Sequence, residues 1–143
     1  ALLRPDLYAA CVDISGGIGM TLDTAKLQEE MTSRHFLENF KLYTTTFPKP
    51  EDIPASRFNI YEAAKRHKEQ GDLLCDFTFA CGSEEFIRYR VENDVEILGN
   101  LGYNVKYICA EGYDHDFRMW NDYIKIALDE LLPLKRRAIL PGE

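Results

Sequence analysis

The sequence predicts an α/β fold, a parallel sheet with flanking helices and one helical insertion, and three observations carry that prediction. Short apolar runs at 9–15, 73–80 and 105–109 alternate with longer segments of helical spacing. The second and third runs are joined by a single helix-length segment, the connection that parallel neighbours require. Each run closes on glycine or on a polar loop, and the 73–80 run, apolar and aromatic with few breaks, reads as a central strand covered on both faces.

The elements follow in order. Ala1-Leu2-Leu3-Arg4 has no capping residue and meets Pro5 at once, as at the end of a helix already under way, so the chain reads as a fragment whose first elements lie upstream. Ala9-Ala10-Cys11-Val12-Asp13-Ile14-Ser15 is too short for a helix and is stopped by Gly16-Gly17, which makes it the first strand. From 16 to 71 the composition turns polar. Thr24 to Met31, Ser33 to Tyr43 and Ser56 to Gln70 read as helices separated by Pro48-Lys49-Pro50 and by Pro54, so 16–71 is expected to be a helical cap inserted into a core of 1–15 and 72–143. The last of these helices finishes in a basic, solvated turn, Lys65-Arg66-His67-Lys68, and in Gly71, as the helix dipole favours.

Leu73 to Ala80 is apolar and aromatic, the pattern of a central strand, and Cys81-Gly82-Ser83 closes it. Phe86 to Leu101 sets Ile87, Val91, Val95 and Leu98 at helical spacing before Gly102, and Val105 to Cys109 is the third strand. A strand–helix–strand unit of this kind has parallel strands, which places the Cys81–Glu85 and Ala110–Asp116 loops side by side at the carboxyl edge of the sheet. A final helix, Phe117 to Leu132, is expected to bury Trp120, Tyr123, Ile124, Ala127, Leu128 and Leu131 and to stop at Pro133.

Composition excludes several classes of function. Seventeen Lys and Arg against 24 Asp and Glu give a net charge of −7, a field that repels nucleic-acid phosphates and anionic lipid. No apolar run approaches the ~20 residues of a membrane-spanning helix, and the N-terminus shows no basic region followed by an apolar one, so a cytoplasmic protein is expected. Cys11, Cys75, Cys81 and Cys109 stand far apart without a CxxC pair, which reads as buried free thiols in a reducing compartment.

Of the three histidines, His67 lies in the basic turn and His35 among polar neighbours on a cap helix, both as solvated side chains. His115 follows the third strand closely and precedes the last helix. An imidazole there can act as a general base, with a helix-capping or surface histidine as the alternative. Asp114 and Asp116 are its chain neighbours, but adjacent residues rarely orient a ring, so the orienting carboxylate is expected from Glu84 or Glu85 on the neighbouring loop.

These residues resemble a known family, the serine esterases of the α/β-hydrolase fold, in the branch of tributyrin esterase, S-formylglutathione hydrolase and related carboxylesterases and feruloyl esterases. Arg4-Pro5-Asp6-Leu7-Tyr8-Ala9-Ala10 leading to Ile14-Ser15-Gly16 is similar to the family's RPDLFAAA and LSG segment. Cys81-Gly82-Ser83-Glu84-Glu85-Phe86-Ile87 resembles its CGTEDFL loop, Leu101-Gly102-Tyr103-Asn104-Val105 its LGYDV, and His115-Asp116-Phe117 with Trp120 its GGHDWxFW segment. The resemblance implies the C-terminal part of an α/β-hydrolase fold with Glu85 as triad acid and His115 as triad base, in the chain order such hydrolases use after their serine. Two positions differ from the pattern: Glu85 stands where the family has Asp, and Tyr113-Asp114 where it has paired glycines.

No G-x-S-x-G occurs in the 143 residues. Ser15 lacks the preceding glycine and the following helix of a nucleophile elbow, Ser83 adjoins Glu84, and Cys81 and Cys109 sit at strand positions that suit inert thiols. The resemblance therefore implies a nucleophile serine upstream of Ala1, on the same polypeptide or on a companion chain, in an enzyme that hydrolyses small-molecule carboxylic esters of short or aromatic acids by a Ser-His-Glu triad. It implies no metal and no organic cofactor. Cap aromatics Phe36, Phe40, Tyr43, Phe47 and Phe58 are candidates for an acyl or alcohol pocket or for plain core. The alternative is a non-catalytic binding or interaction piece. Half a parallel sheet exposes a strand edge and an apolar face, so such a piece is expected to associate, with a second copy or with another chain.

Overall fold

In the computed structural model, residues 1–19, 50–57 and 59–134 are described. The expected helices at 24–31 and 33–43, His35 and the aromatics Phe36, Phe40, Tyr43, Phe47 and Phe58 lie outside the described residues.

Three strands, β1 (Ala10–Ile14), β2 (Asp76–Gly82) and β3 (Val105–Ala110), form one sheet in the order β1-β2-β3, and both pairings are parallel. Phe79 stands at the centre, paired with Asp13 on one side and Tyr107 on the other. The helices are α1 (Ile60–Gln70), α2 (Arg88–Asn100) and α3 (Phe117–Ile126), the last continuing as a wider turn over Ala127–Leu131. A 3₁₀ segment, Pro50–Ala55, precedes α1.

Alternation along β2 divides the core between two faces. Phe77, Phe79 and Cys81 point to one face and pack with Ala64 of α1, with Val91 and Leu98 of α2, and with Tyr103. Ala80 points to the other and meets Met119 of α3 and Ala110. Burying a phenylalanine as completely as Phe79, which has no exposed surface, contributes roughly 1.5–3 kcal/mol. Tyr103 also ties α1 to the sheet layer, its hydroxyl donating to the Ala64 carbonyl at 3.1 Å.

Several boundaries and one burial pattern depart from expectation. Helix α1 starts at Ile60 and not at Ser56, because Asn59 is its N-cap and accepts from the Glu62 amide at 3.4 Å. It ends as expected at Gly71, whose left-handed φ of 72° lets its amide reach the Lys68 carbonyl. β2 begins three residues later than the apolar run, and Leu73 is exposed. On α3 the expected stripe holds at Trp120, Tyr123, Ala127, Leu128 and Leu131, but Met119, packed with Ala80 and Ala110, is fully buried and Ile124 is exposed.

Two further expectations are corrected. His67 is not a free solvated side chain, since its Nδ1 lies 2.7 Å from Asp72 Oδ2 just past the αL turn. Cysteines Cys75 and Cys81 are buried, but Cys11 is half-buried and Cys109, on the edge strand β3, is exposed. None of the described helices is long and apolar enough to cross a membrane.

Candidate active site

Parallel strands bring their carboxyl ends to one edge, and here that edge gathers a side chain from each of the three following loops: Ser15 after β1, Glu85 after β2 and His115 after β3. The acid and histidine loops are stitched together. The Ser83 amide donates to the Ala110 carbonyl at 2.9 Å, the Glu84 amide to the Tyr113 carbonyl at 3.0 Å, and the Gly112 amide to Ser83 Oγ at 2.9 Å. Gly82 permits this approach, because a Cβ on it would sit 2.6 Å from the Tyr113 carbonyl carbon.

At the centre is the Glu85 carboxylate, whose side chain has no exposed surface. Its Oε2 lies 2.9 Å from His115 Nδ1. Its Oε1 accepts from Ser15 Oγ at 2.6 Å and from the Gly82 amide at 2.8 Å. Burial by itself raises the pKa of Glu85, but the hydrogen bonds from Ser15, the Gly82 amide and His115 outweigh it, and the carboxyl is held below its ordinary value. Nearby, burial and then the negative charge of Glu85 push the Cys81 thiol up to about 12, which keeps it protonated and inert.

The His115 ring is about one-third exposed, its side chain retaining 30% of its accessible surface. Phe86 and Trp120 meet it edge-on at centroid distances of 5.1 and 5.2 Å, and Phe117 packs edge-on against Trp120 in turn. Nδ1 is committed to Glu85, and no hydrogen bond among the described residues engages Nε2.

The other acids near His115 have separate tasks. Asp116 is the N-cap of α3, accepting from the Met119 amide at 3.0 Å, and Asp114 accepts from the His115 backbone amide at 2.7 Å. Glu84 is exposed and accepts from the Ser83 hydroxyl at 3.1 Å. Tyr113, at a position of expected glycine, fixes the loop through its hydroxyl, 2.9 Å from Asp122 Oδ2. The structure thus brings Glu85 and His115 together and leaves Glu84, Asp114 and Asp116 off the ring.

Ser15 is the residue that sequence reasoning missed in this arrangement. Its sequence context raises only the question of a nucleophile, whereas its hydroxyl donates to Glu85. The available signal is topological: a hydroxyl residue ending a strand beside the acid-bearing strand necessarily lies next to the acid loop.

A second buried carboxylate lies outside the site. Asp94 of α2, 1% exposed, accepts from the Ile18 amide at 2.8 Å, the Gly19 amide at 3.1 Å and the Tyr61 hydroxyl, tying the loop after β1 to α1 and α2. Burial dominates there and pushes the carboxyl up to about 6. Among the described residues no cluster of metal-ligating side chains occurs.

Two solved structures are similar to this chain over 88% of its length. One is the fluorophosphonate-binding serine hydrolase FphF of Staphylococcus aureus with substrate bound, at 15% identity and a TM-score of 0.62. The other is the apoenzyme of S-formylglutathione hydrolase FrmB from Staphylococcus aureus, at 15% identity and a TM-score of 0.65. The chain spans 45% of the length of each. This likeness shows the fold: the chain has part of the α/β-hydrolase fold. No family model and no curated protein matches it.

Proposed function

We propose that this chain carries the acid and the base of a serine carboxylic ester hydrolase, with Glu85 as acid, His115 as base and the nucleophile serine supplied by a segment outside the 143 residues, on the same polypeptide or a companion chain. The observation that carries the reading is the 2.9 Å contact between a fully buried carboxylate and Nδ1 of a histidine whose Nε2 has no hydrogen bond among the described residues. The likeness in fold to two serine hydrolases supports it.

The chemistry follows from the two nitrogens. Glu85 accepts a hydrogen bond from Nδ1–H and so fixes the tautomer with Nε2 unprotonated. Nε2 takes the proton of the serine hydroxyl as its oxygen attacks the ester carbonyl, and the negative Glu85 stabilises the imidazolium that results. His115 then returns the proton to the departing alcohol. Water repeats the cycle on the acyl-enzyme and releases the acid. Phe86, Phe117 and Trp120 make the surroundings of His115 apolar, which suits esters with short acyl or aromatic groups.

One observation favours a second reading, a binding piece without catalysis: the chain itself contains no G-x-S-x-G. The test is hydrolysis of a short chromogenic ester, with fluorophosphonate labelling, by the protein joined to its serine-bearing segment. His115→Ala is expected to reduce kcat on the order of 10⁶-fold, as loss of a triad base does. Near-normal turnover in that variant, or no labelling of the unaltered protein, would contradict the esterase reading.

A further inference from the structure

We infer that Ser15 is a positioning residue of the Glu85–His115 pair: its hydroxyl locks the rotation of the Glu85 carboxylate so that Oε2 faces the histidine. The consequence for catalysis rests on the esterase reading above, whereas the positioning itself is a matter of geometry. The two carboxylate oxygens have different partners. Oε1 takes two donors, Ser15 Oγ at 2.6 Å and the Gly82 amide at 2.8 Å, and Oε2 takes His115 Nδ1 at 2.9 Å. A terminal carboxylate torsion is soft and roughly two-fold, so one amide alone leaves it broad. A second donor, arriving from another strand end, removes that freedom.

Ser15 is itself held firmly. Its amide donates to the Ala80 carbonyl at 2.8 Å, extending the β1–β2 pairing by one residue, and it is 7% exposed. Its φ of 57° makes it the sole non-glycine with positive φ among the described residues. Glycine takes that conformation without steric cost, so the backbone gives no reason for a serine here. The hydroxyl does give one. Strained positions of this kind persist where surrounding contacts over-determine them, typically at functional sites. The same bond leaves the hydroxyl donating to a carboxylate, away from either ring nitrogen.

Glycine substitution separates the hydroxyl from the backbone. In Ser15→Gly the positive φ is relieved, so the thermal midpoint should hold or rise, while Glu85 loses a donor to its charged form. Carbon-13 carboxyl NMR of the full chain, with the Glu85 signal assigned through Glu85→Gln, should show the Glu85 midpoint higher by about one to two pH units. The other groups near this carboxylate, Cys81, Asp13 and His115, are unchanged in the variant. Should Ser15→Gly not fold, Ser15→Ala gives the same reading with the Cβ retained. In the ester-hydrolysing assembly, kcat should fall about tenfold with KM little changed, since a hydrogen bond to a charged group is lost without loss of substrate contacts. An unchanged Glu85 midpoint in the folded variant overturns the positioning role. That outcome is distinct from failure of the esterase reading, which appears as normal turnover in His115→Ala while the Glu85 midpoint still moves in Ser15→Gly.

Discussion

Two buried carboxylates, Glu85 at the carboxyl edge of the sheet and Asp94 on α2, each accept three hydrogen bonds, and they differ in which protonation state the fold favours. Burial is the largest influence on both. At Asp94 it prevails and raises the pKa to about 6, with further help from the negative charge of Asp13. At Glu85 it is outweighed and the pKa falls below its ordinary value. Asp94 has two backbone amides and a phenol; Glu85 has one amide, a hydroxyl and an imidazole. At Glu85 the hydrogen bond from Ser15 lowers the pKa most, then the Gly82 amide, then the His115 ring by a hydrogen bond and a weaker charge attraction, whereas burial at Asp94 outweighs its three donors. One carboxylate ties loops together, and the other is held ionised against the ring of His115.

The largest expected effect that separates them is on stability against pH. For Asp94, folded pKa exceeds unfolded pKa, so the folded state binds more protons in between and stability falls as pH rises from about 4 through about 6, by roughly 3 kcal/mol in total. For Glu85 the sign is opposite: its contribution is present above the unfolded value of 4.5 and is lost as pH falls through the lower folded pKa. Urea unfolding of Asp94→Asn across this window should lack the decline that the unaltered protein shows. Equal slopes in both proteins would remove the assignment to Asp94.

A smaller effect is expected from forcing the two sites to resemble each other. Gly82→Ala places a Cβ against the Tyr113 carbonyl and so parts the acid loop from the histidine loop, at a cost of about 1–3 kcal/mol by thermal or chemical unfolding. Glu85, with His115 drawn away, should then titrate upwards as Asp94 does. Asp116→Ala removes the N-cap of α3 beside His115 and should cost about 1 kcal/mol, measured by the same unfolding experiment. The smallest effect is that of Tyr61→Phe, which removes a donor from Asp94 alone; the Asp94 carboxyl signal should move up in pH and the Glu85 signal should stay in place.

The sheet was legible because its signals are local and redundant. Runs such as Phe77-Thr78-Phe79-Ala80-Cys81 suit only a strand covered on both faces, and the joining helix dictates parallel strands, which in turn places the two loops together. Glu85 and His115 were legible through the resemblance combined with that topology, which favours an acid from the next loop over Asp114 or Asp116. The Ser15 contact was not, because a serine at positive φ and one in a regular turn read alike in sequence, and its partner is 70 residues away. Nor was the choice between Met119 and Ile124 on α3, since both are apolar and only packing against the sheet decides between them. Asp94 carries no signal of its own in the sequence, since its partners Ile18, Gly19 and Tyr61 come from segments that the chain pattern does not align with it.

The proposed role of Glu85, orienting His115 for catalysis, is read from kcat of Glu85→Gln beside Glu84→Gln in the protein joined to the proposed serine-bearing segment. Exchanging the carboxylate for an amide preserves the size of the side chain but favours the wrong tautomer of His115. A fall in kcat on the order of 10⁴-fold is expected, with the fold intact and with Glu84→Gln close to normal. Near-normal kcat in Glu85→Gln, or an equal fall in Glu84→Gln, would remove Glu85 from the catalytic pair.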